Sequence, residues 1–192
     1  MEEATIARDY TWPVKITTFD AGQDQRLTPA GQLRLQQEIG ELHMSTGGLG
    51  YQFLFDAGMA FLLTRTNSVV HRAPALNEEV TLRTWHRGTR GAQFYRCYEF
   101  LDKAGEKLIE SVTAFALVDV RDHRLLRPDA FESYGLITQP ERRNACPDPA
   151  KWKPPVDMAP VGDHVVRWSE VDWNGHLNNT IYANYLCDYL PG

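Results

Sequence analysis

Hydrophobic residues recur at every second position in several short segments of this chain, and this alternation predicts a β-rich protein. In residues 11–18, Trp12, Val14 and Ile16 alternate with other residues, which is the period of a half-buried strand. Five later segments are rich in β-branched and aromatic residues, and turn-forming residues separate several of them. These predicted strands are residues 60–66, 68–71, 79–85, 93–100 and 107–120.

One long helix is predicted between the first strand and the others. Thr28 is a favourable N-cap, Pro29 suits the first helical position, and the helix should end at Gly47 and Gly48. Its apolar residues on or near one stripe are Leu33, Leu35, Ile39 and Leu42. Residues 51–60 fit either a short helix or a loop. This α+β order predicts an antiparallel sheet wrapped around a central helix.

Proline marks a change of organisation in residues 138–160, which contain six prolines and show little periodicity. Proline lacks an N–H donor and favours extended chain, so this stretch is predicted to be a linker that crosses between two domains. We expect the apolar residues Trp152, Val156 and Met158 to pack the linker against the first domain.

The segment after the prolines repeats the start of the chain. Residues 163–168 are predicted to form a strand and residues 178–190 a helix, with a polar turn between them. Leu27 and Leu177, 150 positions apart, each precede the start of a predicted helix, and Asp172 is matched with Asp20. Either Asn178 or Asn179 is the predicted N-cap of the second helix. The apolar stripe of the second helix is predicted at Ile181, Tyr185, Leu186 and Tyr189.

This duplication predicts three segments. Residues 1–137 form an N-terminal domain, and residues 138–160 form the proline-rich linker. Residues 161–192 begin a second domain, whose sheet would follow Gly192.

Composition narrows the functional classes. The 192 residues carry a net charge of −5, whereas nucleic-acid-binding domains normally carry a basic excess. No apolar run approaches the ~18 residues of a membrane span, and residues 1–11 lack the profile of a secretory signal. The three Cys and six His residues show no metal-binding spacing. We therefore expect a cytoplasmic protein that uses no metal or other cofactor and binds neither nucleic acid nor membrane.

Residues 169–179 form the densest polar cluster, in which Asp172, Asn174 and His176 alternate across the predicted turn. A histidine there suits a general base, and a turn entering a helix presents N–H groups that can hold an oxyanion. Asn174 suits orientation of the electrophile or the nucleophile, and Asp172 suits fixing the turn or the imidazole tautomer. The competing interpretation is a plain helix-capping turn.

Two patches resemble the acyl-acyl carrier protein (acyl-ACP) thioesterases, enzymes built from two hotdog domains. The first patch is residues 167–182, which contain the sequence Asp-x-Asn-x-His-x-Asn-Asn. The second comprises residues 61–65, Pro74 and residues 78–85. The resemblance implies hydrolysis of a fatty acyl thioester, with an acyl carrier protein as partner.

The resemblance also assigns residues. It implies that Asp172, Asn174 and His176 are catalytic, and that a carboxylate on the second hotdog sheet assists them. No residue up to Gly192 is expected to fill that last role, since Asp188 lies on a predicted helix. The first hotdog is implied to house the acyl chain, with Phe53, Phe55, Met59 and Phe61 as candidate lining.

Alternatives remain open at this point. The chain fits a hotdog thioesterase that acts on acyl-coenzyme A, or a non-catalytic acyl-binding module. Seven arginines suit either a basic face for an acidic carrier protein or solvated strand faces: Arg83, Arg87, Arg90, Arg96, Arg121, Arg124 and Arg127. A homodimer is among the assemblies that the sequence allows.

Overall fold

A computed structural model describes residues 6–190 of the chain. Its strands are β1 (Tyr10–Lys15), β2 (Met59–Val70), β3 (Glu79–Arg90), β4 (Gln93–Leu101) and β5 (Lys107–Asp119). Its helices are α1 (Pro29–Ser45), α2 (Tyr51–Asp56), α3 (Asp129–Glu132) and α4 (Asn179–Asp188), with a 3₁₀ turn at Trp168–Glu170. Residues 1–5 of the predicted first domain and residues 191 and 192 of the predicted second domain lie outside the described residues.

The five strands form one antiparallel sheet in the order β1-β3-β4-β5-β2. Pro13, which has no N–H to donate, lies in edge strand β1 opposite Thr81. The two segments predicted at 60–66 and 68–71 are one strand, β2, whose register shifts between Leu63 and Arg65. The predicted α+β order is therefore confirmed.

Helix α1 begins where its sequence signals place it. The Thr28 hydroxyl accepts the Gly31 N–H at 3.0 Å, and Pro29 occupies the first turn. Leu35 and Ile39 are buried against β3, β4 and β5, whereas the predicted stripe residues Leu33 and Leu42 are only partly buried.

The interface between α1 and the sheet contains a buried polar cluster that the hydrophobic pattern does not predict. Phe94, Arg96, Tyr98 and Phe100 alternate along the helix-facing side of β4, and Arg96 interrupts this apolar row. The Arg96 guanidinium donates to His43 Nδ1 at 2.9 Å and also to His86 Nε2. Two neutral imidazoles therefore accept hydrogen bonds from a buried cation.

Residues 139–148 of the proline-rich linker cross the opposite face of the sheet. The side-chain amide of Asn144 donates to the carbonyls of Tyr98 at 3.2 Å and Ser111 at 3.0 Å. Indole Nε1 of Trp85 donates to the Arg142 carbonyl at 3.1 Å, and Cys146 is buried in the same cluster as Trp85. Hydrogen bonds from both the linker and the sheet therefore fix this part of the linker.

The prediction that apolar linker residues pack on the first domain is wrong. Trp152, Val156 and Met158 are 72%, 106% and 60% exposed. The hydrogen-bonded anchors all precede residue 149, and residues 151–169 run along the surface with every residue exposed.

The predicted repeat is confirmed by the hydrogen bonds of two turns. We call residues 20–28 the first turn and residues 170–178 the second turn. Each is closed by an isolated bridge, Ala21 with Leu27 and Val171 with Leu177. The Gly22 N–H donates to the Arg26 carbonyl at 2.9 Å, and the Asp172 N–H donates to the His176 carbonyl at 2.8 Å. All these pairs are offset by 150 positions.

Two details of the repeat differ from the prediction. At this offset Asp20 matches Glu170, not Asp172. Residues 163–168 are not a strand, because within residues 6–190 no neighbouring strand pairs with them. They run as irregular chain into the 3₁₀ turn.

Helix α4 has the predicted start and lies beside α1. The Asn178 side chain accepts the Thr180 N–H at 2.9 Å and so caps the helix. Of the predicted stripe, Ile181 and Tyr185 are partly buried, whereas Leu186 and Tyr189 are 65% and 59% exposed. In the described part of the chain, no helix has the length and apolarity needed to cross a membrane.

Candidate active site

The second turn brings all three predicted site residues into one short loop. A bridge between Val171 and Leu177 closes the loop, and the Gly175 N–H donates to the Asp172 carbonyl at 2.9 Å. Gly175 has φ of 78°, a left-handed conformation in which glycine avoids the strain of a side chain. The backbone thus places Asp172, Asn174 and His176 at the entrance to α4.

Asp172 fixes the shape of this loop. Its Oδ1 accepts the Asn174 N–H at 2.9 Å and the His176 N–H at 3.2 Å. The sequence left two roles open for Asp172, and these bonds support the one in which the carboxylate orders the turn.

The functional groups of Asn174 and His176 are exposed to solvent. Within residues 6–190, neither the Asn174 amide nor the His176 imidazole hydrogen-bonds to another side chain or to the backbone. Both groups are therefore available to a water molecule or a substrate carbonyl.

The backbone N–H groups are less available than the sequence suggested. Six of them already donate within residues 170–180: those of Asp172, Asn174, Gly175, His176, Asn178 and Thr180. The expectation that free N–H groups of the turn receive an oxyanion is therefore wrong for these six.

A second carboxylate, that of Glu170, connects the second turn to the segment that precedes it. The Glu170 carboxylate accepts His164 Nε2 at 2.9 Å and the Arg167 N–H at 2.7 Å, and these bonds lower the pKa of Glu170 to about 2. The Glu170 carbonyl accepts the Asn178 N–H at 2.9 Å. Glu170 thus links the preceding segment to the helix cap.

Helix α2 supplies aromatic neighbours to the second turn that sequence analysis did not assign. The Trp173 ring lies 5.9 Å from the Tyr51 ring and 5.8 Å from the Phe55 ring, between centroids. Desolvation raises the pKa of Tyr51 to about 12, and the charges of Glu41, Glu38 and Asp172 contribute in the same direction. No spacing in the sequence connects residue 51 with residue 173.

The first turn has the same backbone with different side chains. Gly22, Asp24 and Arg26 occupy the positions of Asp172, Asn174 and His176. The Arg26 guanidinium donates to the Ala73 carbonyl at 3.2 Å. The first turn therefore lacks the imidazole of the second turn, and its ordering carboxylate is Asp24, whose Oδ1 accepts the Arg26 N–H at 3.0 Å.

The four residues proposed to line an acyl cavity separate in the structure. Met59 is buried, and Phe61 packs edge-to-face on Phe94 and Phe131 with centroids 5.0 and 5.1 Å away. Phe53 is partly buried at the same apolar cluster. Phe55 is exposed on α2 beside Trp173.

The seven arginines do not share one face. Arg96 is buried beneath α1, Arg87 pairs with Asp148, and Arg83 lies 3.8 Å from Glu99. The Arg90 guanidinium stacks over Tyr95 at 5.4 Å. Arg121, Arg124 and Arg127 remain exposed in the loop after β5.

Two family profiles match the chain. The acyl-ACP thioesterase N-terminal domain matches residues 7–131, and the acyl-ACP thioesterase C-terminal domain matches residues 156–192. No curated protein matches the chain.

Solved structures show the same fold. An acyl-ACP thioesterase from Bacteroides thetaiotaomicron has a TM-score of 0.80 at 20% identity, covering 96% of this chain and 74% of that one. The 12:0-ACP thioesterase from Umbellularia californica has a TM-score of 0.77 at 20% identity, with coverages of 96% and 76%. A DHNA-CoA thioesterase from Staphylococcus aureus has 0.59 at 14% identity, covering 64% of this chain and 83% of that one. The predicted hotdog fold is confirmed.

Proposed function

Because the chain belongs to the acyl-ACP thioesterase family, whose reaction is hydrolysis of fatty acyl-ACP to free fatty acid, we propose that its second turn is the catalytic centre. One observation carries this proposal. The Asp172, Asn174 and His176 run lies in a turn that Asp172 orders, and the other two side chains are exposed.

His176 is proposed to bind and help activate the attacking water. Thioester hydrolysis requires a water made nucleophilic near neutral pH, and a neutral imidazole accepts its proton. Water oxygen bonds to the thioester carbon, the carbon–sulfur bond breaks, and the thiol leaves with a proton. The carboxylate that the resemblance places on the second hotdog sheet, outside residues 1–192, is proposed to complete the proton transfer.

Asn174 is proposed to position the water or the thioester without adding charge. Its amide is both a donor and an acceptor, so it suits either partner. Six N–H groups of the turn already donate within the turn, so they are not free to bind an oxyanion. The Asn174 amide is therefore a proposed hydrogen-bond donor to the oxyanion of the thioester. Asp172 acts on both residues through the backbone.

The domain organisation belongs to the same proposal. Residues 1–137 form the first hotdog, 138–160 the linker and 161–192 the start of the catalytic hotdog. The hydrogen-bonded repeat of the two turns supports a duplicated origin of the two domains.

An acyl carrier protein is the proposed partner, and the three exposed arginines after β5 are its proposed contact. The Val120 N–H donates to the Gly58 carbonyl at 3.0 Å, so this loop is held at the end of α2, near the second turn. Arginine there suits the carboxylates of an acidic carrier.

We also propose that the protein is cytoplasmic and that it forms a homodimer. Cell fractionation tests the location, and sedimentation of the purified protein tests the oligomeric state.

Steady-state hydrolysis tests the substrate class. The protein expressed from its complete natural reading frame is assayed with matched acyl-ACP and acyl-coenzyme A, together with a triple Arg121→Gln, Arg124→Gln, Arg127→Gln variant. We expect a higher kcat/KM for acyl-ACP, and a KM for acyl-ACP that rises in the variant while kcat changes little. A preference for acyl-coenzyme A supports the alternative thioesterase, and hydrolysis of neither thioester supports a binding module.

A further inference from the structure

Trp173 joins the second turn to the aromatic face of α2. Its indole contacts Tyr51 edge-on at 5.9 Å and Phe55 at 5.8 Å. Tyr51 and Phe55 are four positions apart on α2, so their side chains lie on the same face of that helix. The two rings therefore both contact the indole.

Helix α2 is itself held firmly by the first part of the chain. The Tyr51 N–H donates to Glu41 Oε1 of α1 at 2.9 Å, and Leu54 is buried in the apolar cluster. Phe53 contacts Tyr134 with centroids 5.3 Å apart. Tyr51 and Phe55 thus form a fixed platform.

The hydrogen bonds of Asp172, Asn174 and His176 stay within residues 170–178, so they fix the shape of the loop. The place of the loop on the molecule depends on α4, which lies beside α1, and on the contacts of Trp173. In the first turn the position that matches Trp173 is Gln23, which is exposed. The aromatic anchor is specific to the turn that carries the imidazole.

We propose that Trp173 is a positioning residue, and that its contact with Tyr51 and Phe55 holds Asn174 and His176 in place for catalysis. This inference rests on the proposed function of the second turn. In this proposal, α2 in the N-terminal part of the chain fixes the positions of Asn174 and His176, which lie in the second turn. A displacement of about 1 Å at a reacting group can cost about 10²-fold in rate.

The test compares Trp173→Ala with Trp173→Phe and with Trp168→Ala, a matched control at a tryptophan that is 93% exposed. In the protein from its complete reading frame, we expect Trp173→Ala to lower kcat at least tenfold with KM within about twofold. Trp173→Phe should retain most of kcat, since a ring still reaches α2. Trp168→Ala should match the wild type.

A double-mutant cycle identifies the contact itself. Phe55→Ala should lower kcat, and adding Phe55→Ala to Trp173→Ala should lower it little further, because both changes remove the same interaction. Phe19→Ala, at an 87% exposed ring, is the control for the phenylalanine change. Fully additive losses, or an unchanged kcat in Trp173→Ala, would overturn the inference.

Hydrogen exchange gives a readout that does not depend on activity. Amides of residues 172–178 should exchange faster in Trp173→Ala and Phe55→Ala than in Trp168→Ala, while α1 stays protected. Unchanged exchange in this turn overturns the inference even if the enzyme is active. A wild type that hydrolyses no thioester refutes the proposed function instead, and the exchange result still decides the role of Trp173.

Discussion

At the residue scale, the least expected feature is a buried arginine with no carboxylate bonded to it among the described residues. Arg96 Nη1 donates to His43 Nδ1 at 2.9 Å and to the Thr84 hydroxyl at 3.2 Å, and Nη2 donates to His86. A neutral imidazole has one acceptor nitrogen, and protonation removes it. Both histidines must therefore remain neutral for the cluster to persist.

Protonation of this cluster should make stability depend on pH. Desolvation, together with the charge of Arg96, lowers the pKa of His43 to about 4 and that of His86 well below 6.5. As the pH is lowered through 6.5, the unfolded chain binds protons that the folded chain does not, so the free energy of unfolding decreases. For His43 alone, the free energy of unfolding should be about 3 kcal/mol lower at pH 4 than at neutral pH. Well above pH 6.5, where the imidazoles are neutral in the unfolded chain as well, these two histidines contribute no pH dependence.

The change that tests this is His43→Gln, whose amide oxygen can still accept from Arg96. Urea unfolding between pH 7 and pH 4.5 should show a smaller decline than in the wild type. His123→Asn is the control, because His123 is exposed and has φ of 54°, which asparagine tolerates. Equal declines in all three proteins would contradict the assignment to His43.

The sequence could not indicate this cluster, because its members are unrelated in spacing. Helical periodicity placed Leu35 and Ile39 correctly in the core of α1. His43 and Arg96, however, look like surface residues in sequence, and only the packing of α1 on β4 brings them together.

At the element scale, local signals predicted the helix starts well. Thr28 and Asn178 cap α1 and α4 as expected, since a capping side chain acts within two or three residues. The strand predicted at residues 163–168 was wrong, because a strand also needs a partner that hydropathy does not supply. The linker was predicted as a crossing segment, but its anchors are polar groups rather than the apolar residues expected.

The linker anchors make a prediction about proteolysis of the natural protein. Trypsin should cut early after Lys151, which is exposed, and slowly after Arg143, which lies beside the bonded Asn144. Asn144→Ala should speed cleavage after Arg143, because two hydrogen bonds to the sheet are lost. Asn184→Ala on α4 is the control, and peptide mass spectrometry locates the cuts. Early cleavage after Arg143 in the wild type would contradict the crossing segment.

At the scale of the whole molecule, two turns of the same backbone carry different side chains. The sequence predicted the repeated turn and placed Asp172, Asn174 and His176 in it, because the repeat and the polar run are both local patterns; the catalytic role of these residues stays a prediction. It did not predict that α2 contacts the second turn through Trp173, since that contact depends on how the two parts of the chain pack. The two turns share a backbone, and only the second carries the imidazole and the amide that we propose to be catalytic.

The most direct test of this account is the kcat of His176→Ala and Asn174→Ala for acyl-ACP, measured in the protein from its complete reading frame. Both side chains are exposed and make no described hydrogen bond within the protein, so their removal should leave Tm within about 2 °C. Each variant should lose about 10²–10³-fold in kcat, as expected for a base or an oxyanion donor. Near-normal hydrolysis by both variants would mean that residues 170–178 are only a helix-capping turn.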